Sequence, residues 1–164
     1  MDIEKHHQKA NTLKKENKFF FDKLKQLNPR ILDDYFQTEH DKVFENTDCL
    51  ACANCCKTTS PIFYNRDIER LAKYFKMKPG KFIEQYLKID EDKDYVLKQA
   101  PCPFLNSDHY CSVYDYRPNA CREYPHTNRK KIVQLLDLTY RNTFVCPAVL
   151  KIVEGLKNIL PNMK

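Results

Sequence analysis

The strongest constraint on this chain is a run of four cysteines in eight residues: Cys49-Leu50-Ala51-Cys52-Ala53-Asn54-Cys55-Cys56. A two-residue gap lets a tight turn aim two sulfurs at one point, and two such gaps in series aim three. Amide N–H groups in such turns face the sulfurs and, with a bound cation, favour the thiolate. The pattern predicts a local fold organised by sulfur ligation. Cys55 and Cys56 are adjacent, and neighbouring side chains point in different directions. The pair is therefore open to two readings: service to two sites, or one ligand and one apolar packing residue.

Four more cysteines follow at Cys102, Cys111, Cys121 and Cys146. Eight thiols allow two four-thiolate sites or one centre with spares. Both Cys102-Pro103 and Cys146-Pro147 present the Cys-Pro dipeptide of a remote iron–sulfur ligand. Zinc accepts four thiolates in a tetrahedron, and ligand softness does not separate it from iron. No histidine pair stands at zinc-finger spacing; His126 is the one candidate substitute, and His109 reads as a polar loop position.

Composition narrows the function classes. The chain has only two glycines in 164 residues, Gly80 and Gly155, so no Gly-rich phosphate loop can be written. No catalytic constellation is visible either, and the reading leans away from an enzyme. Net charge is +6 and spread along the chain, without the aromatic-interleaved basic stripe that would favour nucleic acid. The first residues run straight into mixed charge without the apolar core of a signal peptide, and no apolar stretch reaches membrane-spanning length. The expectation is a cytoplasmic chain whose thiols stay reduced and serve a metal.

Periodicity predicts a mainly α chain with irregular loops and short strands: one small domain organised around a cysteine-ligated metal centre. Residues 1–47 read as an N-terminal helical hairpin packing on the core, with one helix over 4–27, a break at Asn28-Pro29, and a second over 31–44. This hairpin is the candidate face for a protein partner. Residues 48–164 read as the cysteine-cluster domain, which binds zinc or iron. Within it, Asn65 is the expected cap of a helix over 66–75, and Pro79 opens a short helix to residue 87. Residues 90–94 form an acidic turn and 95–97 a strand. Residues 102–121 are expected to be mostly irregular, and 131–138 is undecided between strand and helix. Pro147 starts an amphipathic helix running to the C-terminus.

The second cysteine stretch is diagnostic: Pro101-Cys102-Pro103-Phe104-Leu105, Tyr110-Cys111-Ser112-Val113-Tyr114 and Arg117-Pro118-Asn119-Ala120-Cys121-Arg122-Glu123-Tyr124-Pro125. With the Cys-x-x-Cys-x-x-Cys-Cys cluster, it resembles the YkgJ-type cysteine-cluster proteins, a zinc- or iron-chelating family. The likeness spans residues 49–146 and extends to Asp67-Ile68 and Leu71-Ala72 between the clusters. It implies metal binding but supplies no reaction. The family often carries glycine where Ala53 stands, so a positive φ there would strain alanine, with Asn54 the alternative residue to take the turn.

The candidate metal ligands are Cys49, Cys52, Cys55, Cys56, Cys102, Cys111, Cys121 and Cys146. Arg117 and Arg122 flank Cys121, where a guanidinium can offset thiolate charge; the competing reading is a salt bridge to Asp115 or Glu123. Tyr110, Tyr114, Tyr116 and Tyr124 are expected to shield the centre from water. Two functional classes stay open beside plain chelation: an iron–sulfur redox protein or metalloenzyme component, related to the cysteine region of flagellin lysine methylases, and, further off, a nucleic-acid-binding zinc module.

Overall fold

The computed structural model describes residues 2–160. The end of the helix expected to reach the C-terminus lies outside the described residues. The chain is mainly helical with one two-stranded sheet, as the periodicity predicted. It divides into two compact units: residues 1–49 with 125–164, and residues 50–124.

The first unit is built on α1 (Ile3–Thr12), α2 (Lys14–Leu24), α3 (Pro29–Phe44), α9 (Leu136–Asn142) and α10 (Pro147–Ile159). The helix expected over 4–27 is interrupted at Leu13, whose ψ of 2° leaves the helical range. Thr12, just before it, donates its hydroxyl back to the Gln8 carbonyl at 3.0 Å. Asn28 caps α3 by accepting from the Arg30 N–H, and Pro29 takes the first helical position. The undecided segment is helical: a 3-10 turn at Ile132–Leu135 leads into α9. Asp33 of α3 holds that turn, accepting the Lys131 and Ile132 N–H groups at 2.8 Å each.

The core of this unit is aliphatic and aromatic. Phe20, Phe21 and Leu24 of α2 meet Leu32 and Phe36 of α3, Leu136 of α9, and Ile152, Val153 and Leu156 of α10. Gly155 lies where α10 passes α3, and the carboxylate end of the buried Glu39 side chain occupies the space a Cβ there would take. Lys157 is also buried, its ammonium donating to Asn17 Oδ1 at 2.6 Å and to Glu16.

The second unit uses shorter pieces. α4 (Cys49–Cys52) enters it, followed by α5 (Asn54–Thr58), α6 (Asn65–Tyr74), α7 (Pro79–Tyr86), the hairpin β1 (Leu87–Ile89) and β2 (Tyr95–Leu97), a 3-10 turn at Tyr114–Tyr116, and α8 (Asn119–Glu123). Asn65 is the first residue of α6 rather than its cap. The helix start is held instead by Asp67, which accepts the Tyr64 N–H at 3.2 Å. Leu87 was expected to end a helix but is extended and opens β1, because it pairs with Leu97 in the antiparallel register. The acidic turn is closed by Asp90, whose Oδ1 accepts from the N–H groups of Asp92 and Asp94. Phe63, Ile68, Leu71, Phe82, Leu87, Leu97, Phe104 and Val113 form this unit's own core.

Candidate metal centre

The Cys-x-x-Cys-x-x-Cys-Cys segment folds as two single helical turns, α4 and α5, joined at Ala53. Ala53 adopts φ 48° and ψ 15°, the left-handed region, and is buried. The alternative that Asn54 would take the turn is therefore overturned: alanine carries the strain where glycine would relieve it. Asn54 instead starts α5. The first two carbonyls of α5 accept from threonine hydroxyls, Thr58 on Asn54 and Thr59 on Cys55, each at 2.8 Å. These bonds fix a five-residue helix too short to persist alone.

Cys56 is tied directly to the second cysteine stretch: its carbonyl accepts the Cys102 N–H at 2.8 Å. Residues 102–112 then double back through a bridge between Leu105 and Cys111, with the Ser112 N–H donating to the Phe104 carbonyl at 2.8 Å. The stretch is mostly irregular, as expected, but this return brings Cys111 back toward Cys102. Both pack against the apolar core of their unit. Cys121 follows on α8.

The electrostatics show which thiols share a neighbourhood. A hydrogen bond from Cys55 draws Cys56 down to about 7, so the adjacent pair acts together. Burial pushes Cys102 up to about 11, and the charges of Cys56 and Cys111 add to it. Burial raises Cys111 as well, with Cys56 adding and Arg117 opposing. Cys121 is pushed up to about 12 by burial, then by Cys56, Cys102 and Cys111, again with Arg117 opposing. Four thiols, Cys56, Cys102, Cys111 and Cys121, thus act on one another within one unit. Cys52 and Cys55 belong to the same unit, while Cys49 and Cys146 fall in the other. Among the described residues, no three His, Cys, Asp or Glu side chains already stand at metal-holding positions. The donor chemistry fits zinc or iron: soft sulfurs, half-buried, whose mutual repulsion on deprotonation a cation would relieve.

The arginines behave differently from one another. Arg117 acts electrostatically on Cys111 and Cys121, and its guanidinium lies 3.7 Å from the Tyr114 ring centroid. Arg122 donates to the main-chain carbonyls of Arg117 and Asp115, at 3.1 and 2.6 Å. The expected tyrosine shield holds only in part. Tyr110 and Tyr116 are 46% and 42% exposed, while Tyr114, under the Arg117 guanidinium, and Tyr124 are half-buried. Buried Phe104, packed with Phe75 and Phe82, and buried Val113 back Cys102 and Cys111.

Sequence reasoning placed Asp67 in the family likeness but gave it no role at the site, and it did not single out Arg70. The two form an i,i+3 pair on α6, yet Asp67 is buried and also accepts the Asn119 N–H at 3.2 Å, two residues before Cys121.

A helical unit gathering half-buried thiols around an irregular loop defines the class: a cysteine-rich metal-chelating module. Residues 48–141, 94 of the 164, match the family described as "CxxCxxCC: Putative zinc- or iron-chelating domain", and the chain belongs to that family. Comparison with curated proteins and with solved structures gave no match. No helix among the described residues is long and apolar enough to cross a membrane.

Proposed function

We propose that this chain is a metal-holding protein that chelates zinc or iron through thiolates and carries no catalysis of its own. The carrying observation is that Cys56, Cys102, Cys111 and Cys121, far apart in sequence, act on one another inside one compact unit. These four are proposed as the nucleus of the ligand set, with Cys52 and Cys55 as further ligands from the same unit. Cys49 and Cys146 complete the eight on the strength of the sequence pattern. Arg117 supports the set by offsetting thiolate charge. A metal closed by thiolates offers no open position for Lewis-acid chemistry, which fits the absence of a phosphate loop in the sequence. A reducing compartment such as the cytoplasm would keep the ligands as thiols.

The test is metal analysis with an optical spectrum on protein purified under strict anaerobiosis, beside Cys121→Ser. Bound zinc or iron, reduced in Cys121→Ser, supports the reading. A brown chromophore with stoichiometric sulfide would move it to an iron–sulfur protein. A folded wild-type protein with no metal affinity would sink it.

A further inference from the structure

The segment between Cys111 and Cys121 is held mainly by side chains. Arg117 Nη1 donates to the Tyr114 carbonyl at 2.5 Å, and Arg122 Nη2 to the Asp115 carbonyl at 2.6 Å. Arg70 reaches across from α6 to take the next two: Nε donates to Tyr116 at 3.2 Å and Nη2 to Arg117 at 2.9 Å. Buried Pro118 then starts α8, its carbonyl accepting the Cys121 N–H at 3.0 Å. The Asn119 N–H, one of the donors a helix start leaves unpaired, goes to Asp67 Oδ1 at 3.2 Å.

Asp67 is what joins these contacts. Its side chain is 1% exposed and accepts three bonds: Tyr64 N–H, Asn119 N–H, and Arg70 Nη2 at 2.6 Å. A buried carboxylate is costly unless its oxygens are this well supplied. It sits on α6 beside Ile68 and Leu71, which are anchored in the core. By contrast, α8 has five residues and buries none of them. A single turn of that kind has no stability of its own. Its orientation is set by the turn before it, which Arg122 grips through the Arg117 and Asp115 carbonyls and which α6 holds through Arg70, and by the Asp67 bond to the Asn119 N–H.

We infer that Asp67 and Arg70 are positioning residues of the metal centre: they fix the Tyr116–Asn119 turn against α6 and so aim Cys121 at the other thiols. This inference rests on Cys121 being a ligand, as proposed above. Neither residue need touch the metal. Partners of this outer kind change metal affinity by about 10–100-fold when removed.

Three substitutions probe the device from different sides. Asp67→Asn removes the charge and one acceptor. Arg70→Lys keeps the charge but cannot span two carbonyls and a carboxylate. Asn119→Pro deletes the N–H that Asp67 accepts. It suits the site, because Asn119 is the first residue of α8 and Pro118 already has the extended backbone (φ −55°, ψ 152°) that a following proline requires. The readouts are zinc affinity, by competition with a chromophoric chelator, and the thiolate-to-metal charge-transfer intensity of the cobalt(II)-loaded protein, which counts bound thiolates.

The expected result is zinc binding weaker by about 10–100-fold in Asp67→Asn and by about 10-fold in the other two, with cobalt charge-transfer intensity lowered in all three. A role in folding alone would lower the stability of the metal-free protein and leave the cobalt spectrum unchanged. Wild-type zinc affinity, within twofold, and a wild-type cobalt spectrum in all three would overturn the inference. If Asp67→Asn does not fold, Arg70→Lys and Asn119→Pro decide it by the same criterion. Cys121→Ser separates the two levels. Loss of charge-transfer intensity there, without loss in the three variants, overturns the positioning role alone. An unchanged spectrum in Cys121→Ser overturns the ligand assignment and the inference with it.

Discussion

The unit formed by residues 1–49 and 125–164 has a core cluster of ten apolar side chains at 1% exposure or less, with helices as long as 16 residues. The unit formed by residues 50–124 has helices of at most ten residues and strands of three, and its loops are fastened by guanidinium and carboxylate side chains. Long amphipathic helices stabilise one another through apolar burial and need little else. Single turns cannot, and small units with short elements usually rely on a staple such as a metal. The difference teaches that the second unit, beyond its own apolar core, depends on side-chain fastenings that the first does not need.

The largest effect that can break this comparison is metal removal. A chelator at neutral pH is expected to strip amide-exchange protection from residues 50–124 while α2, α3 and α10 keep theirs. Equal loss in both units, or none in either, would erase the distinction.

Next comes pH, where the sign follows from the thiols. Cys102, Cys111 and Cys121 are raised and so hold their protons through the neutral range, whereas Cys56, near 7, is half ionised there. A metal binding these sulfurs must displace the protons, so affinity rises with pH. The slope should be about three decades per pH unit above pH 7 and steepen toward about four below it. Competition titrations at pH 6, 7 and 8 read this directly; a flat profile would remove these thiols from the ligand set.

A smaller change is expected in the first unit. Lys157→Met keeps much of the packing but leaves buried Asn17 Oδ1 without the ammonium it now faces. A loss of about 1–3 kcal/mol in the denaturant stability of that unit should result, with zinc affinity untouched. A matching drop in zinc affinity would show that the two units are not energetically separate. The smallest effect has the opposite sign. Ala53→Gly should relieve the left-handed backbone and stabilise the cluster loop by about 1 kcal/mol. A destabilised variant would mean that the buried methyl outweighs the strain.

Much of the helical frame was legible from periodicity. The apolar face of α10 and the proline at its first position announced themselves, as did the β2 strand; α3 starts at Pro29, two residues before the expected Ile31, because Asn28 caps it. Boundaries failed where a pairing or a side-chain bond won: Leu87 at its pairing with Leu97, Asn65 at the Asp67 bond. The tyrosine shield split, Tyr110 and Tyr116 lying exposed and Tyr114 and Tyr124 half-buried, because residue type does not say which side of a ring meets water.

The cysteine pattern returned as the family match over residues 48–141. Cysteine spacing within eight residues is a local property, so the sequence alone determined that the chain belongs to a zinc- or iron-chelating family. Ala53 was flagged the same way, although only the backbone decided that it, and not Asn54, turns left-handed. Tertiary structure decided which distant cysteines share a neighbourhood with Cys56. It also decided that α10 packs against α3, and that Asp67 and Arg70 hold the turn before Cys121. Those contacts join residues up to about a hundred positions apart. Chain-closing interactions of that range are set by how whole elements pack, and no local spacing encodes them.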